Sequence, residues 1–230
     1  MLAKRRRFYV CDGDLIGAEA PNRLDSPGRE LITPNCMIPM FDEEVPLRYP
    51  KEVVLKEKTE AIIRPLVKED AETLRRFYSE LPERDRWYMR HDVLNPDVVR
   101  RMINAIGKGN VFSTVALAEN RIVAHASLLM RGFGSTQHVG RLRIAVLPNY
   151  RHKRLGTWML LDLIQLAMDK GLDDLRADFV IGIEDAAIEA ARKLDFFKVA
   201  VIPEYVKSPR GIRYDLQIMV KRLHRSWSDF

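Results

Sequence analysis

One strand–loop–helix segment constrains the fold of this 230-residue chain more than any other feature. Residues Leu142–Leu147 are apolar except for Arg143 and end at Pro148, which predicts a short strand with a defined end. An amphipathic pattern then runs from Leu155 to Gly171 and predicts a long helix that stops at the glycine. A strand that leads within a few residues into such a helix is typical of a sheet covered by helices.

The remainder of the chain predicts an α+β fold, with one mixed central β-sheet flanked by helices. Strands are predicted at residues 61–65, 111–117, 122–130, 142–147, 175–183, 197–202 and 214–220. Helices are predicted at residues 74–81, 96–106, 155–170 and 186–194. The final strand is the clearest, because apolar side chains alternate strictly along it. The second helix is the best marked, with Asn95 as its N-cap and Pro96 in its first turn.

The N-terminal quarter of the chain has a different character from the rest. Six of the twelve prolines fall within the first fifty residues. Proline fixes φ and lacks a backbone donor, so this stretch disfavours long helices and central strands. Pairs such as Leu31-Ile32 and Met37-Ile38 are nevertheless too apolar for a free tail. We therefore predict that residues 1–57 form a Pro-rich extended arm with a short strand or two, laid over the main domain or a partner subunit. Residues 58–230 are predicted to form that domain.

The charge balance limits the partners that the chain is expected to bind. Apolar residues make up 47% of the sequence, which is enough for a full core. The net charge of +6 suits a ligand with phosphate groups but is too small to indicate nucleic acid. The basic clusters at residues 4–7, 151–154 and 221–225 also lack the interleaved aromatic residues of stacking surfaces. Nucleic acid is therefore not expected as a partner.

The two cysteines, Cys11 and Cys36, bear on the compartment. A chain of this size does not need a disulfide to fold, so free thiols in a reducing compartment are favoured over a bridge. The sequence contains no run of about 18 apolar residues that would suit a membrane span. We expect a cytoplasmic protein without a membrane partner, and the sequence leaves a homodimer open.

The loop between the predicted strand and the long helix carries the clearest chemical signal. Its four consecutive basic residues are Arg151, His152, Lys153 and Arg154. The first amides of a helix have no internal partner and lie at the positive end of the helix dipole, so they attract phosphate groups. Basic residues at a helix start are unfavourable on their own, which indicates a compensating anion. A solvated loop without a ligand remains the alternative.

The residues around this loop resemble a known family. Residues 146–157 read Val-Leu-Pro-Asn-Tyr-Arg-His-Lys-Arg-Leu-Gly-Thr, which resembles the acetyl-CoA signature of the GNAT superfamily, usually Val-x-Pro-x-Tyr-Arg/Gln-Gly-x-Gly-x-Gly/Ala. The predicted element order is similar to the GNAT fold. Residues 187–197 resemble the later helix–turn segment of that family, and residues 63–70 resemble its common start. Residues 81–90 are similar to a segment of bacterial protein-lysine acetyltransferases.

The resemblance covers roughly residues 60–222 and implies a GNAT acyl-CoA N-acyltransferase fold. The implied reaction moves the acetyl group of acetyl-CoA, the cosubstrate, to a primary amine of a protein lysine or a small molecule. The amine would attack directly, and a backbone N–H near Val146 would polarise the thioester carbonyl. The implied coenzyme-binding residues are Ile144, Ala145 and Val146 along the strand edge, the side chain of Arg151, and the amides of His152, Lys153, Arg154, Leu155, Gly156 and Thr157. No metal is expected, because the five histidines lack ligand spacing.

The sequence departs from the family pattern at four positions. His152 and Arg154 stand where the signature has glycines, which is tolerable if φ stays negative at both. Arg141 aligns with the general-base glutamate of lysine acetyltransferases, and Ala191 aligns with the general-acid tyrosine of many GNAT proteins. Both expected catalytic groups are therefore replaced.

Other residues are candidates for the missing catalytic groups. Glu184, at the end of the strand after the long helix, is the predicted general base, although an acid that favours the next helix start is an open alternative. Tyr205 is the predicted general acid or a lining residue of the acceptor pocket. Glu119 and His138 are weaker candidates with surface alternatives, and His125 is interpreted as a packed strand residue. A GNAT-fold module that senses acyl-CoA without turnover is the alternative function.

Overall fold

Eight strands form one mixed sheet in the part of the chain that the computed structural model describes, residues 48–223. The strands are β1 (Lys51–Val54), β2 (Glu60–Pro65), β3 (Val111–Ala118), β4 (Arg121–Leu129), β5 (Val139–Val146), β6 (Asp174–Val180), β7 (Phe197–Lys207) and β8 (Arg213–Arg222). The α-helices are α1 (Ala71–Glu80), α2 (Glu83–Trp87), α3 (Pro96–Asn104), α4 (Leu155–Asp169) and α5 (Asp185–Arg192). The strand order is β1-β2-β3-β4-β5-β6-β8-β7.

One pair of strands makes the sheet mixed. All neighbouring strands are antiparallel except β5 and β6, which are parallel. This parallel pairing covers only Val139–Arg141 opposite Asp174–Arg176. Beyond Arg141, β5 continues along β4 while β6 continues along β8. The sheet is therefore open between the second halves of β5 and β6.

The core lies on both faces of the sheet. Helix α4 packs against β4 and β5 and buries Met159 and Leu163 completely. Gly140 of β5 lies under this helix layer, where an added Cβ would approach side-chain carbons of Leu128 and Leu172 to 2.7 Å. Helix α1 packs on β4 from the opposite face and buries Phe77. This two-sided packing fixes β5, the strand that leads into the basic loop.

The predicted α+β fold with a mixed sheet is confirmed, and the seven predicted strands and four predicted helices are present. Asn95 caps α3 as predicted, because its side-chain oxygen accepts a hydrogen bond of 2.9 Å from the amide of Asp97. One short helix, α2, was not predicted, because five residues carry too little periodicity for a sequence pattern. Strand β1 falls within residues 1–57, where a short strand or two was predicted. Strand β7 also extends five residues beyond the predicted end at residue 202, up to Lys207.

The residues before the predicted boundary at 57/58 include β1, which pairs with β2 along its whole length. Buried Asp162 of α4 accepts hydrogen bonds from the Tyr49 hydroxyl at 2.8 and 3.0 Å and from Lys51 at 2.5 Å. Residues 1–47, with both cysteines, lie outside the described residues, so the arm and its boundary stay predictions. None of the helices between residues 48 and 223 combines the length and apolarity that a membrane span needs.

A buried histidine lies between β4 and α1. His125 is 7% exposed, and its Nδ1 lies 2.9 Å from the Tyr78 hydroxyl. The Ser127 hydroxyl lies 3.4 Å from its Nε2. Burial lowers the pKa of His125 to about 4, because the charged imidazolium would lose its hydration. The interpretation of His125 as a packed strand residue fits this environment.

We expect the free energy of unfolding to fall as the pH is lowered from about 6.5 to about 4. In this range the unfolded chain binds a proton on His125 and the folded chain does not, so stability present at neutral pH is lost. The full loss is about 3 kcal/mol. Urea unfolding at pH 7 and pH 4.5 measures it, with His125→Asn as the comparison. Equal pH dependence in the wild type and the variant would contradict this assignment.

Candidate active site

The open side of β5 presents backbone groups along its second half. The amide of Leu147 donates a hydrogen bond of 2.9 Å to the carbonyl of Val123 on the β4 side. Backbone groups alternate in direction along a strand, so those of Ile144 and Val146 point away from β4. Within residues 48–223, no strand pairs with them on that side. An extended ligand with amide groups can therefore bond there in the manner of an added strand.

The predicted strand-edge residues are not equivalent in the structure. Ile144 and Val146 face the open side through their backbone. Ala145 is paired with His125, so its N–H and C=O point towards β4. The carbonyl of Val146 already accepts a hydrogen bond of 2.9 Å from Arg151 Nε. The amides of Ile144 and Val146 and the carbonyl of Ile144 are thus the backbone groups that suit a ligand.

The basic loop ends in a helix start without a side-chain cap. Arg154 is the N-cap residue of α4, and its side chain makes no capping hydrogen bond. The first helical bond of α4 joins the amide of Trp158 to the carbonyl of Arg154 at 3.1 Å. The amides of Leu155, Gly156 and Thr157 consequently have no hydrogen-bond partner in the described chain. Together with the helix dipole, these donors form an anion site.

The loop reaches this geometry through two residues with left-handed backbone. The φ angle is 59° at His152 and 69° at Arg154. The condition of negative φ, under which non-glycine residues were acceptable here, is therefore not met. Both side chains are exposed, so the left-handed conformation involves no steric crowding by the core. Left-handed backbone costs a residue with a Cβ roughly 1 kcal/mol, and the loop carries this strain twice.

The four basic side chains of the loop have different surroundings. Arg151 Nη2 donates a hydrogen bond of 2.7 Å to the Asp85 carboxylate of α2. Lys153 Nζ lies 2.7 Å from the Glu57 carboxylate, next to β1. His152 and Arg154 have no hydrogen-bond or ion-pair partner among residues 48–223. We therefore expect an anion to contact the amides, His152 and Arg154, while Arg151 joins α2 to the end of β5.

Glu184 lies at the end of the segment that follows β6, across the opening from β5. It is the N-cap residue of α5, yet its side chain makes no capping hydrogen bond. Its carboxylate instead accepts a hydrogen bond of 2.7 Å from the amide of Val180. Burial raises the pKa of Glu184, and the Asp85 charge adds to this effect, while the Val180 amide and Arg143 oppose it. A raised pKa suits a group that accepts a proton near neutral pH.

Two tyrosines, Tyr88 and Tyr214, were not selected from the sequence as candidate site residues. The rings of Tyr88 and Tyr214 meet edge to face, with centroids 6.5 Å apart. Desolvation raises the pKa of Tyr88, and Tyr214 and Glu184 raise it further. Tyr88 belongs to the turn after α2 and Tyr214 to β8, so no local sequence signal connects them. Only the tertiary structure brings the two rings together and exposes Tyr88 to the charge of Glu184.

The other sequence candidates lie elsewhere. Tyr205 on β7 is 64% exposed, and its side chain has no hydrogen-bond or ring partner within residues 48–223. Glu119 lies in the exposed β3–β4 turn, and His138 is exposed, with Nε2 3.9 Å from Asp174. Ala191 is 1% exposed in the core. Over the described part of the chain, no His, Cys, Asp and Glu side chains group together as metal ligands would.

Comparisons with known proteins bear on the family and the fold of the chain. The family model described as "Acetyltransferase (GNAT) family" matches residues 71–196, more than half of the chain. An N-acetyltransferase structure from Staphylococcus aureus Mu50 is 19% identical and has a TM-score of 0.63, with 71% of this chain and 99% of that chain covered. The GNAT domain of S. lividans PAT is 15% identical and has a TM-score of 0.66, with coverages of 78% and 100%.

A third structure contains a ligand. It is a putative acetyltransferase from Salmonella typhimurium with its cofactor acetyl-CoA. It is 20% identical to this chain and has a TM-score of 0.63, with 73% of this chain and 96% of that chain covered. At these identities the structures show the shared fold. No curated protein matches the chain in sequence.

We expect Arg154→Gly to raise the free energy of unfolding by about 1 kcal/mol, because glycine adopts positive φ without a steric penalty. Urea unfolding without added ligand measures the change. Lys193→Gly is the matched control, since Lys193 is also exposed but has a φ of −67°. Glycine should lower stability there by about 0.5–1 kcal/mol. Equal losses in both variants would show that position 154 is not strained.

Proposed function

This chain belongs to the acetyltransferase (GNAT) family, and on that premise we propose that it transfers the acetyl group of acetyl-CoA to a primary amine. The proposal rests on one observation: the open backbone groups of β5 and the uncapped amides of α4 adjoin each other. The open edge of β5 ends where the uncapped amides of α4 begin, so one extended ligand can contact both. A diphosphate linked to an amide-containing arm, as in coenzyme A, has this combination of groups.

Different residues bind different parts of the coenzyme. The amides of Leu155, Gly156 and Thr157 bind the diphosphate, with His152 and Arg154 beside them. The backbone of Ile144 and Val146 bonds to the amide-bearing arm. Acetyl-CoA supplies an acetyl group activated as a thioester. A backbone N–H near Val146 that is not bonded to the arm donates to the carbonyl oxygen of that thioester and stabilises negative charge on it.

The acceptor must lose a proton before it can attack. An alkyl ammonium has a pKa of about 10.4, so a base or a water chain is required near neutral pH. Glu184 takes this proton, directly or through water. The nitrogen–carbon bond then forms while the carbon–sulfur bond breaks, and the departing thiolate takes up one proton. The acid role predicted for Tyr205 stays a prediction, and Tyr88 is a stronger candidate because it lies close to Glu184.

The kind of acceptor is a finer proposal. Residues 81–90, which resemble a segment of bacterial protein-lysine acetyltransferases, contain α2. This helix brings Asp85 to the loop through Arg151, and Tyr88 follows directly. The resemblance supports a protein lysine as the acceptor, and a small amine fits the same chemistry. A cytoplasmic location stays a prediction.

A second candidate function rests on the two replaced catalytic positions. Arg141 and the buried Ala191 supply neither a base nor an acid, which favours a module that binds acyl-CoA without turnover. Incubation with acetyl-CoA and a panel of amines, with free thiol as the readout, distinguishes the two. Tight coenzyme binding without thiol release across the panel would favour the sensor.

We expect Gly156→Asp to abolish binding of coenzyme A while the fold is retained. An added Cβ would lie 3.9 Å from Val146 Cγ2, an ordinary contact, so the protein tolerates a side chain. A carboxylate in the first helical turn also favours α4 through the dipole, but it repels the diphosphate. Calorimetric titration with coenzyme A and urea unfolding measure both properties.

Gly156→Ala is the control that adds bulk without charge. It should bind coenzyme A more tightly than Gly156→Asp and should fold equally well. If the folded Asp variant binds coenzyme A with wild-type affinity, the diphosphate site is wrongly assigned.

We expect Glu184→Gln to lower kcat by about 10²–10⁴-fold, because the glutamine cannot accept the proton of the amine. In the wild type, kcat/KM should fall as the pH drops through the raised pKa of Glu184, since protonation removes the base. This acidic limb should disappear in the variant. Glu189→Gln on the exposed side of α5 is the matched control and should keep wild-type rates. A retained acidic limb in Glu184→Gln would exclude Glu184 as the base.

A further inference from the structure

Two arginines lie on the same face of β5. The backbone pattern buries Gly140 and Leu142 on the α4 side, so Arg141 and Arg143 project to the opposite face. They are two residues apart, which separates their Cα atoms by about 7 Å. Ser127 of β4 is paired with Arg143 on this face, and His125, two residues earlier, lies 2.9 Å from the Tyr78 hydroxyl. The charge of Arg143 also acts to lower the pKa of Glu184. The arginines therefore lie on the side of the sheet that holds the proposed base.

Neither arginine is neutralised by a bonded partner. Within residues 48–223, the guanidinium groups of Arg141 and Arg143 make no hydrogen bond and no ion pair. Desolvation lowers the pKa of Arg143, and the like charges of Arg90 and Arg141 lower it further, while Asp178 and Tyr78 oppose this effect. Positive charge is thus concentrated on this face of β5, and no carboxylate among residues 48–223 forms an ion pair with it.

Three carboxylates of the surrounding elements, those of Asp178, Glu184 and Asp85, are hydrogen-bonded to other groups. Asp178 of β6 accepts two hydrogen bonds from Arg176, at 2.7 and 3.1 Å. Glu184 accepts a hydrogen bond from the amide of Val180. Asp85 is bonded to Arg151. An external anion could therefore bind Arg141 and Arg143 without displacing a salt bridge from either.

The coenzyme is not expected to supply the anion that binds Arg141 and Arg143. Its diphosphate is assigned to the start of α4, which follows the C-terminal end of β5. Arg141 lies in the first half of β5, where the strand is still paired with β6. The arginines project from a face of the sheet, whereas the coenzyme arm is assigned to the open strand edge. Since Glu184 is the base in the proposed function, the molecule that binds this face beside Glu184 is the acceptor.

We propose that Arg141 and Arg143 form an anion subsite for the acceptor, so that the substrate is an amine that also carries a carboxylate or phosphate group. This inference rests on the proposed function for the identity of the bound molecule. Paired guanidinium groups are well suited to such an oxyanion, because their donors form charge-assisted hydrogen bonds. Anchoring the anion there holds the amine of the same molecule near Glu184.

The test compares two amines that differ only in charge, 4-aminobutyrate and 4-aminobutanamide. Each is titrated calorimetrically into the protein saturated with free coenzyme A, so that no acetyl group is present and binding alone is measured. We expect 4-aminobutyrate to bind at least about tenfold more tightly than the amide. In Arg143→Gln the ratio should fall to about one, and Arg143→Lys should recover part of it through its retained charge.

Arg100→Gln on exposed α3 is the matched control, and it should keep the wild-type ratio. Equal binding of the two amines, absence of binding by both, or an unchanged ratio in Arg143→Gln would overturn the proposal. A failure of the proposed function is recognised separately, because free coenzyme A would then give no heat. In that case the same pair of amines, titrated without coenzyme, still decides whether the arginines select an anion.

Discussion

The early end of the β5–β6 pairing is the constraint on which the rest of the site depends. Three residues of each strand pair, and after Arg141 the two strands follow different neighbours. A continuous parallel pair would satisfy the backbone groups of Ile144 and Val146 within the sheet. Because the pairing stops, those groups have no strand partner among residues 48–223. Packing by α4 on one face and α1 on the other holds the open edge in place.

The loop after β5 shows how the fold accepts local strain for a functional geometry. His152 and Arg154 adopt left-handed backbone although both carry a Cβ. The amides at the start of α4 stay uncapped, while Arg151 bonds to Asp85 and Val146. A loop selected only for stability would place glycine at the strained positions and a capping side chain before the helix. The observed combination is expected where a ligand completes the hydrogen bonding.

The replacement of the expected general base by Arg141 can be understood from the place of Arg141 on the sheet. Arg141, at the position that aligns with a general base, lies beside Arg143 on the face next to Glu184. A basic residue in place of an acidic one reverses the local charge at this point of the sheet. In the proposed mechanism, proton acceptance moves to Glu184 on another element, and anionic acceptors are attracted. The rings of Tyr88 and Tyr214 meet edge to face, and the charge of Glu184 raises the pKa of Tyr88.

The sequence by itself determined the order of the main elements, because alternation along strands, helical periodicity and the Asn95 cap are local signals. It also determined the basic loop and the uncapped helix start, since both lie within residues 146–157. Only the tertiary structure decided which backbone groups of β5 are open, since this depends on where β6 leaves it. Only the tertiary structure also relates Asp85 and Tyr88 of the α2 region to Glu184 before α5 and to Tyr214 of β8. Contacts between residues so far apart in the chain leave no periodic pattern that a single sequence can reveal.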